Sequence, residues 1–162
     1  MLWLYIVILL LVAAGLWAVY RLLGTPSRLS PPDYALVLAD VASSAQQSAT
    51  RLRAAFERET EPRLEEVAGE AKKIFQTGYY QTLRLRPTSG PDAMADVRSR
   101  LGRACQAYDW ASRMIASESL ENPLIRKAAA GLLDAGDAAL KEVAQALPAA
   151  QPVPRGSIAP SP

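Results

Sequence analysis

The chain has 162 residues, with 18 basic and 16 acidic side chains, no histidine and one cysteine. These counts exclude Ser-His-Asp and Cys-His nucleophiles, Glu-x-x-His di-iron sites, disulfides and thiolate zinc sites, so no cofactor, no metal and no enzyme activity is expected. The net charge of +2 resides in Arg21 and Arg28, the only charged side chains before Asp33, and the balanced remainder lacks the basic face that nucleic acid requires.

Residues 1–24 read MLWLYIVILLLVAAGLWAVYRLLG, with twenty residues free of charged side chains before Arg21. A secretory signal has a basic n-region, a shorter apolar run and a small-x-small cleavage site. Here the basic n-region is missing, the run is long enough for a bilayer, and Arg-Leu-Leu-Gly-Thr-Pro follows it. A retained transmembrane helix is therefore expected. Trp3 and Tyr5 lie at one end, Trp17 and Tyr20 at the other. Trp3 and Tyr20 are about 26 Å apart along a helix, matching two aromatic belts. Arg21 and Arg28 on the C-terminal flank predict an outside N-terminus and a cytoplasmic remainder, in a single-pass protein of the cell membrane. Ala14, Gly15 and Ala18 form a small-residue patch that lets another helix approach.

Residues 25–32 (TPSRLSPP) form a Pro-rich linker. Residues 33–147 are expected to form one small helical bundle. Ser30 and Asp33 flank two prolines and resemble a capping box, so a helix should start near Pro31. Its apolar positions are Tyr34, Val37, Val41, Ala45, Ser48, Leu52 and Ala55. Between Asp40 and Arg51 it carries no charge, which makes a face suited to another helix or to water. Pro62 breaks or kinks the chain, leaving either a hairpin or one kinked helix. The second helix has Leu64, Val67, Ala71, Ile74, Gly78 and Leu85 along one side. Glu65, Glu66 and Glu70 early and Arg84 and Arg86 late complement its dipole. Without histidine or a calcium loop, that acidic group reads as a solvated face.

RPTSGPD is expected to be a loop, with Ser89-Gly90-Pro91-Asp92 as a second start signal. The third helix has a heptad-like seam of Met94, Val97, Leu101, Ala104, Tyr108, Ala111 and Ile115, a coiled-coil-like pattern. Cys105 sits beside it as a buried thiol. Trp110 falls off the seam and is a partner-contact candidate. Asn122-Pro123 opens a fourth helix carrying Ile125, Ala128, Leu132, Ala135, Ala139 and Val143. Residues 148–162 contain five prolines and one charge and are expected to be a disordered tail.

The expected fold is all-α, with one transmembrane helix, an up-down bundle of about four helices and the tail. No phosphate-binding loop or dinucleotide fingerprint occurs. The function expected is a non-enzymatic accessory or scaffold subunit of a larger membrane protein complex. Its partners are the lipid bilayer and either other membrane subunits or further copies of itself. The alternative is a membrane tether that recruits partners through the helical domain or the Pro-rich tail.

Overall fold

A computed structural model describes residues 27–58, 63–88 and 90–147, together with residues 3, 10–13, 15 and 17. Those first scattered residues have helical backbone. Among the described residues, no helix is long and apolar enough to cross a membrane. The expected span falls largely outside them, as does all of the expected tail at 148–162.

Helices dominate. Strand β1 (Ser27–Leu29) leads into α1 (Pro31–Arg58). Helix α2 (Arg63–Arg84) runs directly into β2 (Leu85–Pro87). Helix α3 (Ala95–Ile115), a 3-10 turn (Glu118–Glu121) and α4 (Pro123–Ala146) complete the domain. The helices form an antiparallel up-down bundle. Gly78 near the end of α2 approaches Val41 near the start of α1. Arg100 near the start of α3 meets Glu142 near the end of α4, and Arg126 at the start of α4 lies over the Phe56 ring at the end of α1. The α1–α2 connection is thus a hairpin rather than one kinked helix, and Pro62 lies outside the described residues.

Capping at two helix starts follows the sequence. The Ser30 hydroxyl bonds the Asp33 carboxylate, and the Asp33 amide donates to Ser30 Oγ at 3.4 Å. Asn122 caps α4 by accepting from the Leu124 amide at 2.9 Å, with Pro123 in the first turn. Both satisfy amides that have no partner inside the helix. The start of α3 differs from expectation. Gly90 takes φ +79°, the helix begins only at Ala95, and no side chain caps it. Asp92 pairs instead with Arg98 at 3.1 Å and accepts from the Tyr34 hydroxyl at 3.5 Å. A tertiary use of the carboxylate has displaced the local one.

The linker and the RPTSGPD loop also depart from expectation. Ser27–Leu29 pairs in parallel with Leu85–Pro87, in the register Ser27 to Leu85, Arg28 to Arg86 and Leu29 to Pro87. The Thr88 amide extends the ladder to the Leu29 carbonyl at 2.8 Å. The two prolines just after β1 free its own chain from helical hydrogen bonding, and the backbone groups of β2 supply partners.

The α4 stripe is rotated from its expected position, whereas Tyr34, Val41, Ala45, Ser48 and Leu52 of α1 and Leu64, Ala71, Gly78 and Leu85 are buried as expected, with shifts by one residue at Val37, Ala55, Val67 and Ile74. In α1 the centre is Leu38, Val41, Ala45, Ala49, Leu52 and Phe56, with Val37 and Ala55 at its edge. In α2 Phe75 is fully buried and Ile74 is exposed. The buried row of α2 runs Leu64, Ala68, Ala71, Phe75, Gly78 and Thr82, and Leu85 of β2 continues it. In α4 the buried residues are Ala129, Leu133, Gly136, Leu140 and Val143. Ala128 and Ala135 are exposed, and Ile125, Leu132 and Ala139 sit at the margin. The α3 seam is as expected at Val97, Leu101, Ala104, Tyr108, Ala111 and Ile115, and Met94 packs at its edge.

Candidate functional site: the four-helix layer and the outer faces

All four helices meet at Tyr108, which is fully buried. Its ring stacks on Phe75 of α2 with centroids 4.9 Å apart. Gly136 of α4 leaves the space on which the ring lies. The hydroxyl donates to Asp137 Oδ1 at 2.6 Å. Asp137 Oδ2 accepts from Arg53 of α1 at 2.6 Å, and the same nitrogen of Arg53 reaches Asp134 at 2.9 Å. Helical spacing produces this layer. Phe75 and Tyr108 lie on facing inner rows of antiparallel helices, and Gly136 and Asp137 are adjacent on the row opposite.

The electrostatics make the layer inert. Burial raises the Tyr108 pKa far above the ordinary phenol value, reinforced by the Asp137 hydrogen bond. The hydroxyl is therefore a neutral donor at any physiological pH. Burial opposes the Arg53 charge, but hydrogen bonds to Asp134 and Asp137 outweigh it and hold the guanidinium above its usual pKa. Cys105 is buried behind Gly78, where an added Cβ would lie 3.0 Å from its sulfur. Burial pushes the thiol up to about 12, so the thiolate needed for nucleophilic attack or metal binding is not formed. Among the described residues, no group of His, Cys, Asp or Glu could hold a metal ion. The layer does the work of a lock between helices.

The outer faces carry the remaining candidates. Trp110 is 51% exposed on α3. The Arg113 guanidinium lies 5.3 Å from its ring centroid and also pairs with Asp109 at 3.0 Å. The indole is thus held in place while half of its surface stays in water. Glu65, Glu66 and Glu70 are exposed, as are Ser43, Ser44, Gln46 and Gln47 in the uncharged part of α1. A cavity of about 460 Å³ opens at the α2–α3 end of the bundle, between Leu64, Ile115, Leu120 and Arg126.

Of the residues expected at the membrane interface, Trp3 and Trp17 are exposed and Arg28 is exposed on β1. Tyr5, Tyr20 and Arg21 lie outside the described residues, as do Ala14 and Ala18 of the small-residue patch. Gly15 has open space where a side chain would stand. Periodicity places Tyr108 in the α3 seam but assigns it no polar partner. Asp137, 29 residues away, carries no local signal of that role. No family model, curated protein or solved structure matches the chain.

Proposed function

We propose that the chain is a single-pass membrane protein whose helical domain serves as an accessory or scaffold subunit of a larger membrane assembly. Residues 1–24 would anchor it, with the N-terminus outside and the bundle in the cytoplasm. The observation that carries this reading is Trp110, a large aromatic half in water yet pinned by Arg113. A rigid, half-exposed indole pays little ordering entropy when a partner covers it, which is why such residues anchor interfaces. The interior is compatible with the same reading, because the Tyr108 hydroxyl, Asp137 and Arg53 bond one another across the helices. Among the described residues, Cys105 and Tyr108 are held protonated by burial.

Affinity purification of the tagged full chain in a gentle detergent, followed by native mass measurement, tests the proposal. A stoichiometric complex with other membrane subunits is expected. Recovery of a partner-free monomer overturns it. Deleting residues 148–162 separates the tether reading: a tether loses its partner, whereas a subunit held by span and bundle keeps it.

A further inference from the structure

We infer that the anchor-side end of the bundle lies on the membrane surface and binds anionic phospholipid headgroups through Arg28, Arg84 and Arg86. The inference rests on the proposed anchoring of residues 1–24 and adds a lipid-binding face that the folded domain supplies.

The fold gathers this face from separate parts of the chain. Arg28 and Arg86 are register partners in the β1–β2 ribbon, so both side chains leave the same side of it. Arg84 closes the last turn of α2, one residue before β2. Arg28 and Arg84 are exposed and Arg86 is half-buried, its guanidinium also donating to the Leu85 carbonyl at 2.6 Å. Like charges set opposite each other in a ladder repel.

Four of the acids at this end are committed elsewhere, and Asp40, one turn beyond Leu36, is exposed on α1. Asp92 pairs with Arg98. Asp96 and Glu142 both pair with Arg100. Asp33 is bonded to the Ser30 hydroxyl. The arginine group therefore keeps its charge. The far end of the bundle has the opposite balance. Exposed Glu57, Glu65, Glu66, Glu118 and Glu121 face Arg58, Arg126 and Lys127 there. The domain is polarised along its axis, positive toward the anchor.

Three exposed apolar side chains lie at the anchor-side end, with Leu124, 75% exposed, as a lone counterpart at the far end. Leu83 is 50% exposed and Tyr80 63% exposed in the last two turns of α2, and Leu36 is 59% exposed in the second turn of α1. Aromatic and aliphatic groups beside arginines suit the headgroup boundary, where their apolar bodies enter and the charges meet phosphate. Chain length enforces proximity. Five residues lie between Arg21 and Ser27, and even fully extended this stretch spans at most about 22 Å. The cytoplasmic leaflet is the anionic one, and its potential acts within a Debye length of about 8 Å. A tether of this reach lets the basic end enter that potential, where the arginines are attracted to the leaflet.

The test uses the full chain reconstituted in vesicles, labelled with a fluorophore at Leu83→Cys or, as a far-end reference, at Leu124→Cys. Cys105 is buried and stays unlabelled. Quenching by headgroup-labelled lipid is read in phosphatidylcholine vesicles with and without phosphatidylglycerol. The expected result is quenching at 83 several-fold stronger than at 124. It should require the anionic lipid, fade at high salt and be lost in Arg84→Glu and in Arg28→Glu with Arg86→Glu. Equal quenching at both positions, or quenching at 83 that ignores lipid charge and salt, overturns the inference. The salt and lipid comparisons on the unsubstituted arginines hold even if a charge-reversed variant misfolds. Flotation with the vesicles after alkaline carbonate washing reports the anchor separately. A chain that fails to float refutes the membrane reading and this inference together, and one that floats without quenching at 83 refutes this inference alone.

Discussion

Tyr108 of α3 lies in the space that a side chain on Gly136 of α4 would fill: a Cβ there would stand 2.6 Å from Cε1 of the ring. The ring cannot retreat, because Phe75 stacks on its other side at 4.9 Å. Gly136→Ala should gain about 1 kcal/mol of helix propensity and lose more to overpacking, which costs about 1–3 kcal/mol. A net loss is expected, read as a lowered denaturant midpoint for the bundle. Unchanged or higher stability would mean that α3 and α4 can separate at this level without penalty.

The hydroxyl of the same residue should matter more than the ion pairs beside it. Tyr108→Phe removes the hydrogen bond from a fully buried phenol to the partly exposed Asp137 carboxylate, a loss of about 1.5 kcal/mol. Arg53 keeps roughly a third of its side chain in water, so solvent screens its pairs and Arg53→Met should cost no more than about 1 kcal/mol. Chemical denaturation of the two variants orders the effects. The reverse order would move the lock from the phenol to the guanidinium.

Stability should fall at alkaline pH. The Cys105 thiol ionises near 9 when unfolded and is pushed up to about 12 when folded. The folded state therefore holds the proton more tightly, and its advantage is complete below pH 9 and lost as pH rises toward about 12. Tyr108 acts in the same direction, since burial raises it as well. Thermal melts between pH 8 and 11 should show a falling midpoint, shallower in Cys105→Ala. Native Cys105 should also resist thiol reagents until the bundle unfolds.

Asp92 should count as a tertiary residue. It joins the start of α3 to α1 through Tyr34 and pairs with Arg98, whose guanidinium also donates to the Leu85 carbonyl at 2.7 Å. Burial raises the Tyr34 pKa, with Asp92 adding to the shift and Arg98 opposing it. Asp92→Ala leaves the Tyr34 hydroxyl without its acceptor and Arg98 without its counter-charge, and should cost about 1–3 kcal/mol. A residue that only capped a helix would cost less when replaced by Asn, so Asp92→Asn should remain clearly destabilising.

Trp110→Ala should leave stability within about 0.5 kcal/mol, as expected of a half-exposed surface position, yet release the proposed partner on gentle purification. Retention of a full complex by this variant would move the interface elsewhere.

The sequence makes the helices legible more readily than their rotations. Ser30 and Asn122-Pro123 mark two helix starts because capping needs only neighbours. The α3 seam is legible because charged residues separate its apolar ones. Helix α4 carries alanine on nearly every side, so Ile125, Ala128 and Leu132 fit a stripe as well as Ala129, Leu133 and Gly136 do. What decides between them is the bulk of Tyr108, which selects the one row that offers a glycine. Ile74 and Phe75 differ by a similar margin, settled by the ring that Tyr108 stacks upon. Asp92 was legible as a polar residue near a proline, but its pull toward Arg98 and Tyr34 exists only after α1 and α3 are side by side. The Tyr108–Asp137 bond depends on two such rotations at once, and no local pattern encodes it.

The β1–β2 ribbon determines where tension would enter the domain. Drawing the chain back through residue 26 would not first unravel α1 from its end. The ladder from Ser27 to Leu29 would be loaded in shear, and the force would pass through Leu85–Pro87 into the junction of α2 and α3. Three register pairs must then slip together before the first turn of α1 bears any load. The domain would be gripped near the middle of its sequence, at Leu85–Pro87, although the pull enters at residue 26.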